Sequence, residues 1–525
     1  MHTTLELSML PAESTDVALI RNLAVSKLKN IPPGASVEVV VRRRSVDARS
    51  RFPVVNLRVD VYINEVVPQE RPFTAALPVV TSGKNVIIIG AGPAGYFAAL
   101  HLVQFGIRPI VLDRGKDVRA RRRDLRAIQQ FAHVNPDSNY CFGEGGAGAY
   151  SDGKLYTRSS KRGDVLHILH VLVEHGASSD ILIDAHPHIG SNKLPGVVNA
   201  IRSSIESHGG EIRFESKVTD FLLHDNRMTG VVVNNQTELL ADAVIVATGH
   251  SARDIYALCQ RRGIRTEFKP FALGVRAEHP QELIDEIQYK QSPRDRHLEA
   301  ASYRLATQIE GRGVYSFCMC PGGLIVPAAT SPQELVVNGM SMSRRDSRFA
   351  NSGIVVEIRR EDVRSFDSFG EHCGLEFQRT VEQSMFAAKN DESQQVPAQR
   401  LVDFSEGKDS STLPQSSYIP GLHSLPVHEL LPPEIARRLR QAFRVFGTSM
   451  RGYYTNEAVV TAVESRTSTP VKIPRDDVSL MHPEVHGLYP CGEGAGYAGG
   501  IVSAAMDGQR VAESIAEHWG LRHDV

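Results

Sequence analysis

The segment Val86–Gly115 constrains the fold of this chain more than any other part. It reads VIIIGAGPAGYFAALHLVQFGIRPIVLDRG: an apolar run, three glycines at G-x-G-x-x-G spacing, an apolar helical repeat and a second apolar run. This order predicts a βαβ unit with buried parallel strands at Val86–Ile89 and Ile110–Leu112. A unit of this kind binds the phosphates of a dinucleotide at the start of its helix.

The three glycines and the following acid each have a physical role in such binding. Gly90 permits the tight turn out of the strand, Gly92 lets a pyrophosphate approach the backbone, and Gly95 lets helix and strand pack closely. Asp113, about 20 residues further on, can accept hydrogen bonds from ribose hydroxyls. Its negative charge disfavours a 2′-phosphate. The segment therefore predicts a bound dinucleotide and leaves open which one.

Composition places the chain among ordinary globular proteins. It has 525 residues, of which 42% are hydrophobic and 23% charged. Lys and Arg number 59 and Asp and Glu 60, so a net charge of −1 gives no global attraction for nucleic acid or anionic membrane. Six scattered cysteines are too few for a secreted disulfide framework, and the first residues lack the features of a signal peptide. We expect a cytoplasmic protein.

Two further blocks distinguish between dinucleotides. The run AVIVATG contains a predicted strand, Ala243–Ala247, that leads into Thr248 and Gly249, and Gly487–Ile501 reads as a strand followed by a glycine-rich turn. An amphipathic helix is predicted at Val502–Trp519. A domain that binds only NAD does not need these blocks, whereas FAD is long and needs a second polar anchor. Glu493 can bond a ribityl hydroxyl, and the helix after Gly500 would direct N–H groups at the flavin ring, so we predict FAD.

Beyond these blocks, the chain resembles the uncharacterised bacterial FAD-dependent dehydrogenases, also called NAD(FAD)-utilising dehydrogenases. The resemblance runs through most of the chain, and one departure from the family pattern is Ala149-Tyr150, where Thr-Phe is expected. The matching motifs are RRSVDARS (Arg43–Ser50), FGEGGAGAYSDGKL (Phe142–Leu155), ATGHSARD (Ala247–Asp254), KPFALGVRAEHP (Lys269–Pro280), FCMCPGG (Phe317–Gly323), NGMSMSRRDSRFANSG (Asn338–Gly353), PAQRLVDF (Pro397–Phe404), SSYIPG (Ser416–Gly421), VESRTSTPVKIPRD (Val463–Asp476) and CGEGAGYAGGI (Cys491–Ile501).

The resemblance implies an α/β fold and a set of cofactor contacts. The fold is a glutathione-reductase-type, Rossmann-like FAD-binding domain with an inserted substrate or cap domain. Independently, the strand and helix patterns of residues 1 to about 80 predict a small N-terminal α+β domain, expected to be ferredoxin-like. The resemblance implies no substrate. The implied FAD-binding residues are Gly90, Gly92, Gly95, Asp113, Arg114, Gly146, Val218, Thr248, Gly249, Glu493, Gly500 and Ile501.

Four segments follow from these assignments. Residues 1–80 form the N-terminal domain, 81–259 the first part of the FAD-binding domain, 260–445 the substrate or cap domain, and 446–525 the second part of the FAD-binding domain.

Candidates for chemistry beyond the flavin are few. Cys318 and Cys320 form C-x-C, which on a strand puts both thiols on one face, although a disulfide across so short a loop would be strained. A role as buried small residues beside the flavin is the alternative. Lys154, after the glycine-rich loop, could polarise a substrate carbonyl or lie near flavin N5, or simply pair with Asp152.

Arg466 is a further candidate, because a guanidinium can bind a substrate carboxylate through two hydrogen bonds. The alternative is a structural ion pair with Glu464 or Asp476. We interpret His250 and His279 as structural polar groups. The chain has no metal-binding motif such as H-E-x-x-H and no G-x-S-x-G, so metal and acyl chemistry are not expected.

These observations favour an FAD-dependent oxidoreductase that transfers hydride between flavin N5 and a small organic substrate. No second G-x-G-x-x-G is present, although NAD(P)H could visit the flavin transiently. One alternative is an RNA-linked flavoprotein of the tRNA-modifying type, with Arg42–Arg44 and Arg119–Arg126 as phosphate contacts; the near-zero net charge weighs against nucleic acid. Another is a flavoprotein in which FAD is purely structural. No membrane association is expected.

Overall fold

A computed structural model describes residues 1–29, 31–68, 71–81, 83–157, 163–389 and 391–521. Its strands are β1 (His2–Met9), β2 (Val37–Asp47), β3 (Val54–Ile63), β4 (Asn85–Ile89), β5 (Arg108–Leu112), β6 (Glu211–Arg213), β7 (Val218–His224), β8 (Arg227–Val233), β9 (Thr237–Leu240), β10 (Ala243–Val246), β11 (Glu267–Phe268), β12 (Phe271–Pro280), β13 (Ala306–Ile309), β14 (Arg312–Cys320), β15 (Gly323–Pro327), β16 (Val337–Ser341), β17 (Phe349–Ile358), β18 (Val396–Arg400), β19 (Leu422–Ser424), β20 (Val459–Glu464), β21 (Val471–Lys472) and β22 (Leu488–Pro490).

Its α-helices are α1 (Val17–Ser26), α2 (Pro93–Gln104), α3 (Arg121–Phe131), α4 (Val165–Glu174), α5 (Leu194–Ser207), α6 (Arg253–Arg261), α7 (Gln281–Tyr289), α8 (Cys373–Ala387), α9 (Leu401–Glu406), α10 (Val427–Leu430), α11 (Pro433–Ser449) and α12 (Ile501–His518). Short 3₁₀ segments lie at Glu13–Thr15, Thr74–Ala76, Gly146–Tyr150, Ser179–Leu182 and Arg360–His372.

The N-terminal unit is a three-stranded antiparallel sheet, β1-β3-β2, covered by α1. Strand β3 lies between β1 and β2, so β1-α1-β2 is a split βαβ arrangement. The Asp16 carboxylate caps α1 by accepting the N–H groups of Ala18 and Leu19. The unit is α+β as predicted. The ferredoxin-like prediction holds only for the first four elements, because the described residues before β4 contain no second helix–strand pair to complete βαββαβ.

A five-stranded parallel sheet, in the order β22-β10-β4-β5-β6, carries the predicted nucleotide-binding unit. The predicted strands and helix of that unit are confirmed as β4, α2 and β5, and the predicted C-terminal helix is α12. Helices α2 and α12 cross closely, because a Cβ on Gly508 would collide with the carbonyl oxygen of Ala94. Because the strands are parallel, the carboxyl ends of β4, β5, β10 and β22 lie at the same edge of the sheet. Ligands bind at this edge in sheets of this kind.

A seven-stranded sheet, in the order β13-β14-β17-β12-β20-β18-β19, forms the second large layer. Its core includes Leu273, Val275, Ile354 and Val356, all 0% exposed, with α8 and α11 packed against it. Strand β20 lies inside this sheet, between β12 and β18. The sheet thus extends past residue 445, where a domain boundary was predicted. Strand β20 belongs to this sheet because it pairs with β12 and β18, although it follows the predicted boundary in the sequence.

The N-terminal unit contacts both large layers. Arg44 exchanges backbone hydrogen bonds with Ile183 and Ala185, and its guanidinium pairs with Asp184 at 2.8 Å. On the other side, the Lys290 ammonium donates to the carbonyl oxygens of Arg49 and Ser50. Across the described part of the chain, no helix is both long enough and apolar enough to span a membrane.

Candidate functional site

The start of α2 is shaped by glycines that have different reasons to lack a side chain. Gly90 has a φ of +112°, and a Cβ there would collide with the carbonyl oxygen of Ala247. A Cβ on Gly95 would collide with the carbonyl oxygen of Gly90. Gly92, in contrast, has no atom within 4 Å of its Cβ position. Gly90 and Gly95 keep the turn compact, whereas Gly92 leaves space at the N-terminus of α2, the positive end of the helix.

Asp113 joins the end of β5 to this turn. Its carboxylate accepts the N–H of Ala91 at 3.0 Å and that of Gly115 at 2.8 Å, and the residue is 7% exposed. Each oxygen keeps a lone pair for a ribose hydroxyl. Ser216 donates its N–H to the carbonyl oxygen of Asp113, so the chain leading into Val218 runs alongside.

Arg114 is already engaged within the chain. Its guanidinium pairs with Asp137 at 2.5 Å and Asp254 at 2.9 Å and lies over the ring of Phe142 at 4.3 Å. These contacts hold the loops around Asp113. A direct bond from this side chain to FAD stays a prediction.

The glycine-rich loop after residue 142 closes over the open space. Gly145 donates its N–H to the carbonyl oxygen of Ala91 at 2.8 Å, and the Cβ position of Gly146 is 3.5 Å from Cα of Gly92. The Cβ position of Gly148 is 3.1 Å from the side chain of Ile501, the first residue of α12. The loop therefore links the starts of α2 and α12, where the two ends of the cofactor are predicted.

Two buried charged residues that we did not single out hold this loop. Arg121 is fully buried and donates to the carbonyl oxygens of Asn139 and Glu144 at 2.7 and 2.8 Å. The Glu144 carboxylate is equally buried, accepts the hydroxyl of Tyr96, and pairs with Arg202 at 3.1 Å. Burial raises the pKa of Glu144. Arg121 belongs to the Arg119–Arg126 run considered above for RNA phosphates, and its complete burial removes it from that role.

The second predicted anchor meets the first at the same edge of the sheet. A Cβ on Gly494 would collide with the carbonyl oxygen of Gly249, and the Cβ position of Gly492 is 2.9 Å from the Cβ of Ala94. Glu493 lies between these contacts and is half-buried. The Cβ positions of Gly249, Gly499 and Gly500 have no atom within 4 Å. Both the start of α2 and the start of α12 thus have glycine positions with no protein atom against them.

Asp507 supports this anchor from within α12. Its carboxylate accepts the N–H of Gly492 at 2.7 Å and pairs with Arg475 at 2.6 Å. Arg475 in turn lies 3.8 Å from the ring centre of Tyr497. The signal for Asp507 was present in the sequence, since an acid stands on the apolar face of a predicted amphipathic helix.

The candidates for chemistry lie further along the glycine-rich loop. The Lys154 ammonium donates to the carbonyl oxygen of Met319 and is 3.9 Å from the Asp152 carboxylate. Cys318 has a φ of +44° in an irregular part of β14 and is exposed, whereas Cys320 is buried. This bulge interrupts the alternation of the strand, so the regular geometry behind the prediction of two thiols on one face is not present here. Burial raises the pKa of Cys320.

A buried ion pair lies beneath the two cysteines. Arg276 and Glu464 are 0% and 1% exposed, and Nε of Arg276 donates to the Glu464 carboxylate at 2.7 Å. Nη1 of Arg276 donates to Asn351 at 2.7 Å and to the carbonyl oxygen of Cys318 at 3.4 Å. Arg276 and Lys154 therefore fix the carbonyl groups of successive residues in the bulge.

Arg466 does not point to a substrate. Its guanidinium binds Glu382 at 2.9 Å and Glu334 at 2.8 Å, and Arg253 binds the same two carboxylates at 2.9 Å each. Burial alone would raise the pKa of Glu382, but the two guanidinium groups lower it to about 2. We call these four residues the buried charge cluster.

Arg466 therefore forms structural ion pairs, as the alternative predicted. Its partners, however, are not the predicted Glu464 or Asp476. The cluster joins α6, which follows β10 of the parallel sheet, to α8 beside the seven-stranded sheet.

The histidines and several of the arginines considered for RNA contacts also have internal partners. Nε2 of His279 is 2.8 Å from the carbonyl oxygen of Tyr453, and burial lowers the pKa of His279 to about 4. His250 contacts the Ser251 hydroxyl, and burial lowers its pKa. Among the arginines considered for RNA, Arg42 pairs with Asp60. Arg44, Arg121 and Arg42 are thus partly or fully engaged inside the protein.

The geometry fits FAD at the edge of the parallel sheet. The hydroxyl of Thr248 is buried and has no hydrogen-bond partner in the described part of the chain. Gly92 leaves the start of α2 open, and Asp113 has unused acceptor capacity. A pyrophosphate with adjoining ribose and ribityl hydroxyls supplies the acceptors and donors that these groups lack.

Comparison with known proteins agrees with this site. A family model of FAD-dependent proteins, C-terminal domain-like, matches residues 270–467, and one of flavin-containing amine oxidoreductases matches residues 121–292. A domain of unknown function matches residues 1–62. An uncharacterized protein of Clostridium beijerinckii (strain ATCC 51743 / NCIMB 8052) is 39% identical over 498 residues, covering 91% of this chain and 92% of that protein.

Solved flavoenzymes resemble the chain distantly. CtdE in complex with FAD and substrate 4 is 14% identical, with 83% of this chain and 81% of that chain covered and a TM-score of 0.35. The flavin-dependent brominase Bmp2 is 12% identical, with coverage of 84% and 80% and a TM-score of 0.36. A point mutant of the halogenase PltM in complex with FAD is 13% identical, with coverage of 84% and 71% and a TM-score of 0.37.

Together the site and the family models define the class of this protein: it is a flavoprotein that binds FAD, of the oxidoreductase type. The chain belongs to the same family as the uncharacterized Clostridium beijerinckii protein.

Proposed function

We propose that the protein is an FAD-dependent dehydrogenase with a glutathione-reductase-type cofactor domain, acting on a small organic substrate. When bound, the flavin supplies hydride transfer at its N5 atom. The single observation that carries the proposal is that glycines with no atom at their Cβ positions lie at the starts of both α2 and α12, with the loop of Gly146 and Gly148 against both.

In this proposal the two helix starts have different tasks. The start of α2, Asp113 and Thr248 hold the adenosine diphosphate end, and Glu493 with the start of α12 holds the flavin end. The uncapped N-terminus of α12 directs N–H groups toward the ring, since Gly500 provides no side-chain cap.

Substrate would bind where the loop meets the bulge of β14. Lys154 reaches Met319 there, and Cys318 is exposed beside it. An ammonium group fixed by a carbonyl oxygen keeps further N–H donors for a carbonyl or carboxylate of the substrate. We propose Lys154 as the group that orients the substrate, with NAD(P)H as a transient electron donor.

The test starts with the purified protein, which should carry the visible absorbance of oxidised flavin. After anaerobic photoreduction, candidate organic acceptors are screened for the return of that absorbance. Lys154→Met should slow reoxidation by an organic acceptor at least tenfold and leave reoxidation by ferricyanide unchanged, because ferricyanide needs no oriented binding. Lys193→Met, at an exposed lysine, is the matched control. A protein that takes up no FAD, or one whose reduced flavin reacts with no organic acceptor, would overturn the proposal.

A further inference from the structure

Two lysines lie against the glycine-rich turn that follows β22, at the flavin end of the proposed cofactor site. Strands β11 and β21 form a two-stranded antiparallel ribbon; Lys269 directly follows β11, and Lys472 is the last residue of β21. The Cβ position of Gly496 is 3.2 Å from Cδ of Lys269 and 3.2 Å from Cγ of Lys472. Gly496 donates its N–H to the carbonyl oxygen of Glu493 at 2.9 Å, so both lysines border the turn that carries the Glu493 carboxylate.

The ammonium group of Lys269 is held only weakly by the protein. Lys269 is half-buried, and within the described residues its ammonium forms no ion pair and donates only to the hydroxyl of Ser468, at 3.5 Å. That distance is longer than usual for an N–H···O bond, and two further N–H groups stay free. Burial lowers the pKa of Lys269, and the Glu493 carboxylate opposes this shift. A cation withdrawn from water in this way needs an anionic partner.

Lys472 contacts the same glycine but has partners of its own. Its ammonium group lies 5.3 Å from the ring centre of Tyr497, within the range of a cation–π interaction. It also stands opposite Glu267 in the register of the ribbon, and oppositely charged residues at such positions attract each other. The two lysines therefore share a location and differ in what the protein offers them.

Glu493 is half-buried and is also unsatisfied. Its carboxylate has no hydrogen-bond or ion-pair partner within the ranges that the structure describes, Lys269 included. Two other charged groups of this region, Arg475 and Asp507, neutralise each other at 2.6 Å. One ammonium group and one carboxylate thus remain at the turn without a counterion in contact. A ligand that brings a hydroxyl for the carboxylate and an anionic oxygen for the ammonium satisfies both.

We propose that Lys269 is a further cofactor-binding residue, whose ammonium group meets a negatively charged oxygen of FAD beside the ribityl hydroxyl bound by Glu493. This inference rests on the proposed function, which assigns Glu493 and the start of α12 to the flavin end. Lys472, engaged by Tyr497, takes no part in binding.

FAD carries such an oxygen on either side of its ribityl chain. On one side is the diphosphate, which is charged in every redox state. On the other is the pyrimidine edge of the flavin ring, which takes up negative charge when the ring is reduced. The two contacts have different thermodynamic consequences. The first stabilises oxidised and reduced FAD alike, whereas the second favours the reduced form.

The test compares the wild type with Lys269→Met by fluorescence titration of the apoprotein with oxidised FAD and by redox titration of the bound flavin. If Lys269 meets the diphosphate, the dissociation constant for oxidised FAD should rise at least tenfold, with the midpoint potential unchanged. If it meets the ring, the midpoint potential should fall by about 30 mV, equivalent to tenfold weaker relative binding of the two-electron-reduced form. Lys269→Arg keeps the charge and should stay close to the wild type in both measurements.

Lys472→Met is the matched control and should leave both quantities unchanged. The apoproteins of the wild type, Lys269→Met and Lys472→Met should unfold at the same urea concentration; a lower midpoint for Lys269→Met would assign Lys269 a structural role instead. An unchanged dissociation constant together with an unchanged potential in Lys269→Met would overturn the inference, as would equal losses in Lys269→Arg or Lys472→Met.

These measurements use FAD alone and need no organic acceptor, so they separate this inference from the proposed function. A wild type that takes up no FAD would contradict the proposed function itself. A wild type that binds FAD, with a Lys269→Met variant that matches it in affinity and potential, would contradict only the role of Lys269.

Discussion

The cofactor half and the seven-stranded-sheet half of this protein are built on different principles. At the edge of the parallel sheet, function depends on the absence of side chains, with glycines close together in the sequence and backbone N–H groups facing open space. In the other half, charged side chains from distant segments are buried together, as in the buried charge cluster and the Arg276–Glu464 pair. The first region is prepared to receive a ligand, whereas the buried charges of the second are already saturated by their own partners.

The largest expected effect comes from removing one member of the buried charge cluster. Arg466→Met leaves Glu382 buried beside only one of its two guanidinium partners. We expect the free energy of unfolding to fall by about 3–5 kcal/mol, as for other broken buried pairs. Urea unfolding measures this change. A loss no larger than that of an exposed ion pair would contradict the contrast between the two regions.

The next effect separates the roles of glycines in the cofactor half. Gly92→Ala places a methyl group in the space predicted for pyrophosphate, without touching any atom of the protein. The fold should persist, while the FAD dissociation constant rises about 10–100-fold, equivalent to about 1.4–2.8 kcal/mol. Fluorescence titration of the apoprotein with FAD measures it.

The control for this variant is Gly196→Ala on α5, where the Cβ position is equally open but lies in another helix. It should leave FAD affinity unchanged. If Gly92→Ala binds FAD like the wild type, the open space at α2 is not the pyrophosphate site.

This contrast also explains which features of the structure could be predicted from the sequence. The turn at Gly90–Gly95, the acid at Asp113 and the helix α12 follow from short-range spacing, so their secondary structure was predictable. Arg466 meets Glu382 across 84 residues, and Arg253 meets it across 129. Nothing in the local pattern selects those partners, because they are chosen by which helices pack together. The same holds for β20, whose place in the seven-stranded sheet depends on strand pairing.

The pH dependence of stability tests the seven-stranded-sheet half in a different way. Burial lowers the pKa of His279 to about 4, below its ordinary value of 6.5. The unfolded chain therefore takes up a proton first, and stability falls as the pH drops below about 6.5. From about pH 7.5 to about pH 5.5 the loss due to His279 should be about 1 kcal/mol.

The measurement compares urea unfolding of the wild type and His279→Gln at both pH values. Glutamine retains an N–H donor for the carbonyl oxygen of Tyr453, so the variant should lose this part of the pH dependence. His224→Gln, at an exposed histidine, should keep it. A variant at position 279 with the full wild-type pH dependence would show that this histidine is not held neutral by burial.

The smallest effect should come from an ion pair of the same chemistry at the surface. Arg437 pairs with Glu310 and Glu434, and all three side chains are more than a third exposed. Water and salt screen such charges, and ordering the side chains opposes the attraction, so surface pairs contribute little. Arg437→Met should leave the urea midpoint unchanged within error, although it removes two ion pairs, just as Arg466→Met does. If Arg466→Met and Arg437→Met lowered the free energy of unfolding equally, burial would not make an ion pair more important for stability. The stability of the seven-stranded-sheet half would then have to come from packing alone.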